Sequence, residues 1–374
     1  METGGIAERF RDKTILITGA TGFLGKLLVE KILRVQPEVR KLYLLVRAPD
    51  AIAAEERVLT EVVGNGLFDV LREQYGAGFH SFIKEKIYAL PGDVTHENFG
   101  LESYDILQLS QKVDIIVNGA ATTNFMERGD VLNLLSTAYV AGEQAGQIFE
   151  KPFQIGTALR LDYQLDIEAE LQLVDKIKSE LGINSDSKLE KITMRKLGLE
   201  RAVHFGWPNT YTLTKAMGEM LLQQLGQDLP VVIVRPSMIT STFQEPMPGW
   251  IEQTRLVYFQ AYMILRYKVP LEMMRAANVL LGGIYTKNYY ELNRGYNILM
   301  TVAKLYAPYV FFKGWFDDTN LRKLWKATAM DQNDDASIFN FDPKCINWSS
   351  YLVNTHIPAA IKYANNQKTK ARSA

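Results

Sequence analysis

The chain has 374 residues and no net charge at pH 7, with 47% hydrophobic and 22% charged residues. This composition indicates a globular protein of about two domains with a substantial core. The neutral balance argues against a nucleic-acid binder and against a polybasic membrane patch, so no nucleic-acid partner is expected. The one cysteine, Cys345, excludes an intramolecular disulfide and indicates a reducing compartment. We interpret Cys345 as a packing residue rather than a nucleophile.

No secretory signal precedes the first predicted strand, and no uncharged run reaches the ~18 apolar residues of a spanning helix. The nearest candidate, residues 296–316, contains Lys304, Pro308 and Lys313. We therefore expect an intracellular protein without a transmembrane helix.

A glycine-rich turn lies near the start of the chain. The apolar run Thr14–Ile17 predicts a buried strand, and an amphipathic helix is predicted to follow the turn directly. Glycines allow close backbone approach to a pyrophosphate, and the N-terminus of a helix attracts its charge. The predicted dinucleotide-binding residues of this turn are Gly19, Thr21, Gly22, Phe23, Leu24 and Gly25.

A P-loop is the main alternative for this turn. It requires a glycine six residues before Lys26 and a serine or threonine after it, whereas the chain has Ala20 and Leu27. The turn therefore favours a dinucleotide over a nucleoside triphosphate.

Two charged residues follow the next predicted strands. Arg47 ends the strand Lys41–Val46, where an acidic residue would bind the ribose 2′-hydroxyl of NAD; arginine suits the 2′-phosphate of NADP. Asp93 and Val94 follow the strand Ile87–Leu90, where Asp93 either contacts adenine or only forms a turn. We predict NADPH as the cofactor and no metal site.

Three further strands are predicted at Val113–Val117, Leu132–Leu135 and Leu229–Pro236. Parallel neighbours need a crossover of about a dozen residues, usually a helix. Only residues 122–131 are available between the first two of these strands, and they do not have a helical pattern. The connection is therefore either abnormal or lacks a piece of the fold.

The catalytic candidates are Tyr211 and Lys215. Pro208 and Asn209 are typical of a helix start, so these side chains should lie four apart on one helical face. A nearby ammonium lowers the pKa of a phenol and makes it a usable acid or base at neutral pH. A hydroxyl from Ser136 or Thr137 could then bind the substrate carbonyl oxygen.

The remaining segments are predicted to be mainly helical. Helical spacing at residues 166–181 indicates either a lid or a plain surface helix. Residues 244–249 are the predicted domain boundary, and the part beyond it is rich in aromatic residues. Its apolar face could form a small core, line a tunnel or lie on a membrane, and core packing is the default. The residues of that face are Ile298, Leu299, Val302, Leu305, Tyr306 and Tyr309.

Several motifs resemble those of extended short-chain dehydrogenases/reductases. They are Thr18-Gly-Ala-Thr-Gly-Phe-Leu-Gly25, Leu44-Leu-Val-Arg47, Pro91-Gly-Asp93, Ala120-Ala-Thr-Thr-Asn-Phe125, Ser136-Thr-Ala-Tyr-Val140 and Tyr211-Thr-Leu-Thr-Lys215. More narrowly, the chain resembles the plant alcohol-forming fatty acyl-CoA reductases of the male-sterility type. That resemblance rests on His204-Phe-Gly-Trp-Pro-Asn-Thr-Tyr211, Pro248-Gly-Trp-Ile-Glu252, Phe311-Phe-Lys-Gly-Trp-Phe-Asp-Asp318 and Phe341-Asp-Pro-Lys344 through Ile346-Asn-Trp348.

The resemblance implies an α/β fold: a Rossmann-type doubly wound parallel sheet in residues 1–252, followed by a smaller, mainly helical domain in residues 256–374. It implies NADPH-dependent reduction of a long-chain or very-long-chain fatty acyl-CoA to a primary alcohol. Tyr211 would supply the proton, Lys215 would also hold the nicotinamide ribose, and Thr137 or Ser136 would bind the oxygen. The expected location is the cytoplasm or the cytoplasmic face of the endoplasmic reticulum, with peripheral membrane contact through the C-terminal domain.

The chain departs from the family pattern at two places. A helix and most of a strand are missing where Asp130-Val131 runs into Leu132, and a longer stretch is missing at residues 253–255. A catalytically impaired NADP-binding remnant, or splice form, is therefore the alternative interpretation. A reductase acting on a sugar or flavonoid is a third, which the aromatic C-terminal part disfavours.

Overall fold

The computed structural model of the protein describes residues 5–120, 136–181, 187–226, 228–252, 268, 271–330 and 338–373. Strands and helices alternate in the first of these ranges. They are β1 (Thr14–Thr18), α1 (Phe23–Val35), β2 (Lys41–Val46), α2 (Ala51–Arg57), α3 (Asp69–Tyr75), α4 (Phe79–Lys86), β3 (Ile87–Pro91), α5 (Ser103–Lys112) and β4 (Ile115–Asn118).

The four strands form one parallel sheet in the order β3-β2-β1-β4. Their ends at Thr18, Val46, Pro91 and Asn118 therefore lie at one edge, where a doubly wound sheet binds its ligand. Thr18 Oγ1 donates to Asn118 Oδ1 (2.8 Å) and accepts from the backbone N–H of Ala120 (3.0 Å), which ties β1 to the end of β4. The Rossmann-type sheet expected from the sequence is confirmed.

The sheet is buried because its strands are almost continuous apolar runs, as parallel strands covered by helices require. Ile15, Ile17, Leu42 and Leu44 are fully buried with Val29 and Leu33 of α1 in one core cluster. Strand β4 differs: it pairs only with β1 among the described strands, and Ile116 is 66% exposed. Among the described residues, β4 is thus an edge strand with an exposed apolar side chain on one face.

One strand prediction is wrong and another cannot be compared. Leu229–Pro236 forms no strand, and Val232 and Val234 in it are 85% and 64% exposed. A strand requires a ladder partner, and the described hydrogen bonds of this stretch form no ladder: Leu229 N–H donates to the carbonyl of Gly226, and the carbonyl of Pro236 accepts from Ala138 N–H and Thr137 Oγ1. The predicted strand at Leu132–Leu135 lies outside the described residues.

The second half is mainly helical, as predicted. Its elements are β5 (Gly146–Ile148), α6 (Ile167–Leu181), α7 (Ser187–Phe205), α8 (Thr210–Leu225), α9 (271–280), α10 (Thr286–Val310), β6 (Gly314–Phe316), α11 (Thr319–Met330) and α12 (Ile357–Ser373). A second core cluster contains Trp207, Met217 and Met220 from the α8 region. The indole of Trp207 donates to the carbonyl of Val140 (2.8 Å) and so holds α8 beside residues 138–141.

Several sets of contacts between described residues join the C-terminal part to the first part. Strands β5 and β6 pair in parallel. Tyr351, which is buried, hydrogen-bonds Ser241 Oγ (2.9 Å) and Thr240 Oγ1 (2.7 Å), and His356 Nδ1 lies 3.0 Å from Ser241 Oγ. Aromatic rings of α10 and β6 pack on Tyr139. Tyr309 and Phe316 therefore pack on the segment that follows Ser136 and Thr137.

Two further expectations concern membrane-spanning helices and the burial of Cys345. None of the described helices is both long and apolar enough to cross a bilayer. Cys345 is exposed in the turn Pro343–Cys345, so its interpretation as a packing residue is wrong.

Candidate active site

The glycine turn is as tight as the sequence predicts. Gly19 has a φ of +72°, and a Cβ there would lie 2.5 Å from the carbonyl carbon of Gly119. A Cβ on Gly25 would lie 2.3 Å from the carbonyl oxygen of Gly19 and 2.7 Å from the Cα of Ala20. Strand β1, the end of β4 and the first turn of α1 thus approach so closely that only glycine fits at these two positions.

Helix α1 begins at this turn with its N-terminal amides uncapped by any side chain. Gly22 is its N-cap residue, with φ −81° and ψ 165°. Lys26 is mostly buried, and its Nζ pairs with Glu252 Oε1 at 2.8 Å. This ion pair agrees with the rejection of a P-loop, because a P-loop lysine would be directed at a phosphate.

Arg47, Asp93 and Val94 lie at the predicted sheet edge. The side chain of Arg47 is exposed, and its carbonyl accepts from Arg57 Nη1 (2.7 Å), a second cation that the sequence analysis did not identify. Asp93 Oδ1 accepts from the N–H of Thr95 (3.0 Å), so Asp93 forms a turn. Burial acts to raise its pKa, but the hydrogen bonds from Thr95 and the charge of Arg47 hold the pKa below its usual value. The adenine contact of Asp93 stays a prediction.

Tyr211 and Lys215 lie in the first two turns of α8 and are buried, at 9% and 1% exposure. Lys215 Nζ lies 5.4 Å from the centroid of the Tyr211 ring. Burial lowers the pKa of Lys215 from 10.5 to about 7. Among the described residues this ammonium nitrogen has no hydrogen-bond partner. A buried donor of this kind is expected at a site that binds polar acceptors.

Ser136 and Thr137 occupy the turn before a short 3₁₀ helix at Ala138–Ala141 and differ in their hydrogen bonds. Ser136 Oγ donates to Glu219 Oε1 on α8. With described residues, Thr137 Oγ1 makes two long contacts, 3.3 Å to the carbonyl of Pro236 and 3.4 Å from the N–H of Tyr139. Because the Ser136 proton is held by a buried carboxylate, Thr137 is the better candidate to bind a substrate oxygen.

Glu219 and Arg235 are site residues that the sequence analysis missed. Glu219 is one turn beyond Lys215, is 2% exposed, and accepts from Arg235 Nε at 2.8 Å as well as from Ser136. This network ties α8 to residues 136 and 235. The spacing of four residues between Lys215 and Glu219 predicts that they share a helical face. It does not predict the hydrogen bonds of Glu219, because Ser136 and Arg235 lie outside this helix.

Asn209 and Tyr309 were also missed as a pair. Asn209 caps α8, with Oδ1 accepting from the N–H of Thr212 (3.0 Å), while its Nδ2 donates to the hydroxyl of Tyr309 (2.5 Å) on α10. The ring of Tyr309 also meets the ring of Tyr139 edge-on, with centroids 4.7 Å apart. Helix α10 therefore packs on the start of the helix that carries Tyr211.

The residues present fit a nicotinamide dinucleotide. The open amides at Phe23, Leu24 and Gly25 suit a pyrophosphate, and the unpartnered Lys215 Nζ suits the hydroxyls of a ribose. The open amides lie at the carboxyl edge of the parallel sheet, and Lys215 Nζ lies beside the ring of Tyr211. The chain therefore has one set of donors suited to a pyrophosphate and another, next to a phenol, suited to a ribose.

Comparison with known families identifies the domains of the chain. A male sterility protein profile for the NAD-binding domain matches residues 17–132 and 126–281, and a second male sterility protein profile matches residues 266–367. The first match is thus split in two at residues 126–132, where the sequence analysis placed the first missing segment. The protein therefore has a nicotinamide-dinucleotide-binding domain.

Curated relatives cover the same span. Fatty acyl-CoA reductase 1 of Arabidopsis thaliana is 36% identical over 482 aligned positions, which include 95% of this chain and 98% of that protein. The alcohol-forming fatty acyl-CoA reductase of Simmondsia chinensis is 33% identical over 492 positions, covering 98% of this chain and 100% of that protein. Both alignments are longer than the 374 residues of this chain, so both relatives contain internal stretches that have no counterpart here.

Among solved structures, the reductase domain of a nonribosomal peptide synthetase from Mycobacterium tuberculosis is 23% identical with a TM-score of 0.42, covering 68% of this chain and 54% of that chain. The family assignment rests on the profiles and the curated relatives, which cover most of this sequence. The chain belongs to the male sterility protein family, the family of the plant fatty acyl-CoA reductases.

Proposed function

We propose that the protein reduces a long-chain or very-long-chain fatty acyl-CoA to the primary alcohol, with NADPH as the reductant. The observation that carries the proposal is the buried pair of Tyr211 and Lys215 in a chain that also has the glycine turn of α1. The substrate class is that named for the Arabidopsis and Simmondsia relatives. The compartment and the peripheral membrane contact stay predictions from the sequence.

NADPH is favoured over NADH by the charges after β2. Arg47 is exposed at the strand end, and Arg57 donates to its carbonyl. Because Arg57 is already paired with Glu61, the exposed guanidinium of Arg47 is the planar donor that suits a 2′-phosphate near the expected ribose. Thr21, Phe23, Leu24 and Val94 complete the proposed nucleotide contacts.

The nicotinamide, when bound, supplies the hydride that adds to the thioester carbonyl carbon. Thr137 Oγ1 donates a hydrogen bond to the carbonyl oxygen, and Tyr211 transfers a proton to it as negative charge develops. Lys215 holds the ribose hydroxyls and, when protonated, stabilises the phenolate that Tyr211 leaves. The resulting hemithioacetal would lose CoA as the thiol, its hydroxyl proton passing to the sulfur, and so give an aldehyde. After exchange of the oxidised nucleotide for a second NADPH, the same residues would assist reduction of the aldehyde to the alcohol.

The hydroxyl of Tyr211 is the direct test of this mechanism. Tyr211→Phe should lower the rate of alcohol formation by a factor of about 10²–10⁴, because the proton donor is lost. NADPH affinity, followed by nucleotide fluorescence, should change little. Tyr290→Phe, at a side chain that is 65% exposed, is the matched control and should keep full activity. Undiminished turnover of Tyr211→Phe would refute the assignment.

An NADP-binding remnant without activity is the rival proposal. It is favoured by the two departures from the family pattern, at residues 130–132 and 253–255, and the exposed side chains of Ile116 and Val232 are consistent with it. The 374-residue chain should be assayed for alcohol formation from a C16–C24 series of acyl-CoA substrates with NADPH, with thermal shift reporting nucleotide binding. Binding together with alcohol supports the reductase, whereas binding without any product supports the remnant.

A further inference from the structure

Tyr309 lies on α10, 100 residues after Asn209 at the start of the helix that carries Tyr211, and is 7% exposed. Its hydroxyl accepts a hydrogen bond from Asn209 Nδ2 at 2.5 Å, and its ring meets Tyr139 edge-on. One side chain of the C-terminal part thus contacts two separate segments of the reductase part.

Each contacted segment carries a catalytic candidate. Asn209 is the N-cap of α8, two residues before Tyr211, and its other amide atom accepts from the N–H of Thr212. Tyr139 lies two residues after Thr137, and its N–H points at Thr137 Oγ1 at 3.4 Å. Both segments are therefore held at fixed distances from one phenol.

We propose that Tyr309 is a positioning residue for the reduction, which holds the α8 cap and the Thr137 turn in register so that Tyr211 and Thr137 reach one substrate oxygen. The proposal rests on the proposed function, and it gives the C-terminal helical part a direct role in the active site. Tyr309 touches neither substrate nor cofactor in this role and acts through Asn209 and Tyr139.

The protonation of Tyr309 suits this role. Burial raises its pKa, and the neighbouring phenols of Tyr211 and Tyr139 raise it further, although the hydrogen bond from Asn209 acts in the opposite direction. Tyr309 therefore remains a neutral phenol while Tyr211 exchanges its proton. A group that stays neutral keeps the same hydrogen bonds throughout the reaction.

The test is a double-mutant cycle with Tyr309→Phe and Asn209→Ser. The first change keeps the ring and removes the hydroxyl; the second keeps an N-cap residue and removes the amide donor. Each should lower kcat about ten-fold while KM for NADPH stays within about two-fold, because misplacement affects the transition state most. If the two residues act through one hydrogen bond, the double variant should be no slower than either single variant.

Tyr351→Phe is the matched control. Tyr351 is likewise a buried tyrosine whose hydroxyl joins the C-terminal part to the reductase part, at Ser241 and Thr240. This variant should lose as much thermal stability as Tyr309→Phe and keep its kcat. Unchanged kcat in Tyr309→Phe, or an equal loss in Tyr351→Phe, would overturn the proposal, as would additive losses in the cycle.

Amide hydrogen exchange separates this proposal from the proposed function. Tyr309→Phe should speed exchange in a peptide covering residues 209–215 by about ten-fold, and Tyr351→Phe should leave that peptide unchanged. This readout needs no substrate, so a chain that is inactive toward acyl-CoA can still show the contact. Unchanged exchange in Tyr309→Phe would contradict the positioning role whatever the substrate.

Discussion

The burial of Lys215 should make the free energy of unfolding depend on pH. The pKa of Lys215 is about 7 in the folded protein, against 10.5 for an exposed lysine. Between these values the unfolded chain binds one more proton than the folded chain. Stability without nucleotide should therefore rise with pH across this window, by at most about 1.4 kcal/mol per pH unit.

Lys215→Met should remove this slope and raise the melting temperature at pH 7, because the cost of burying the ammonium disappears. Thermal unfolding from pH 6.5 to 10 measures the effect. Lys196→Met is the control, since the Lys196 side chain is 77% exposed and should leave the slope as it is. Identical slopes in the wild type and in Lys215→Met would show that Lys215 is not desolvated.

Contacts within the site could be predicted from the sequence only where the contacting residues are close together in the chain. The pairing of Tyr211 with Lys215 could be predicted because helical spacing alone sets it. Two other sets of contacts could not be predicted: the hydrogen bonds of Glu219 with Ser136 and Arg235, and the hydrogen bond between Asn209 and Tyr309. They join stretches that only the tertiary fold brings together. The sequence left Ser136 and Thr137 equivalent for the same reason.

The glycines in the turn before α1 differ in how much space surrounds them. A methyl group on Gly25 would overlap backbone atoms of Gly19 and Ala20, which cannot move without breaking the turn, whereas a methyl on Gly22 would lie 3.2 Å from a single oxygen. Gly25→Ala should lower the free energy of unfolding by about 3 kcal/mol, and Gly22→Ala by less than about 1 kcal/mol.

Urea unfolding measures both changes, and NADPH titration adds a second readout. Gly22→Ala should fold and yet bind NADPH weakly, because its methyl group occupies the approach to the pyrophosphate. A Gly22→Ala protein with unaltered NADPH affinity would place the pyrophosphate elsewhere.

The strand predictions are correct where the folded chain supplies a neighbouring strand. β1, β2 and β3 follow from apolar runs, and their bounds agree with prediction to within one residue. Leu229–Pro236 has an equally apolar pattern and forms no strand. A strand depends on a pairing neighbour as well as on its own residues, and no described strand lies beside this stretch.

A largely buried ion pair, between Lys26 of α1 and Glu252, fixes α1 to the segment before residue 253. Lys26 and Glu252 pair with side-chain exposures of 11% and 21%. Glu252→Gln would leave a mostly buried ammonium without its counter-charge and should cost about 2 kcal/mol. Glu180→Gln, in the exposed pair with Lys176, should cost less than about 0.5 kcal/mol. Equal melting temperatures for the two variants would mean that the Lys26 pair is solvated.

Strands β5 and β6 join the two parts of the chain over a long separation, and beside them the N–H of Asn320 donates to Glu150 across 170 residues. A ribosome adds about 5–20 residues per second, so the β5 side waits on the order of ten to thirty seconds for its partner. During that interval the sheet edge and the aromatic face around Tyr139 are uncovered. The nascent chain is therefore open to chaperones, and to mispairing, for longer than its glycine turn needs to form.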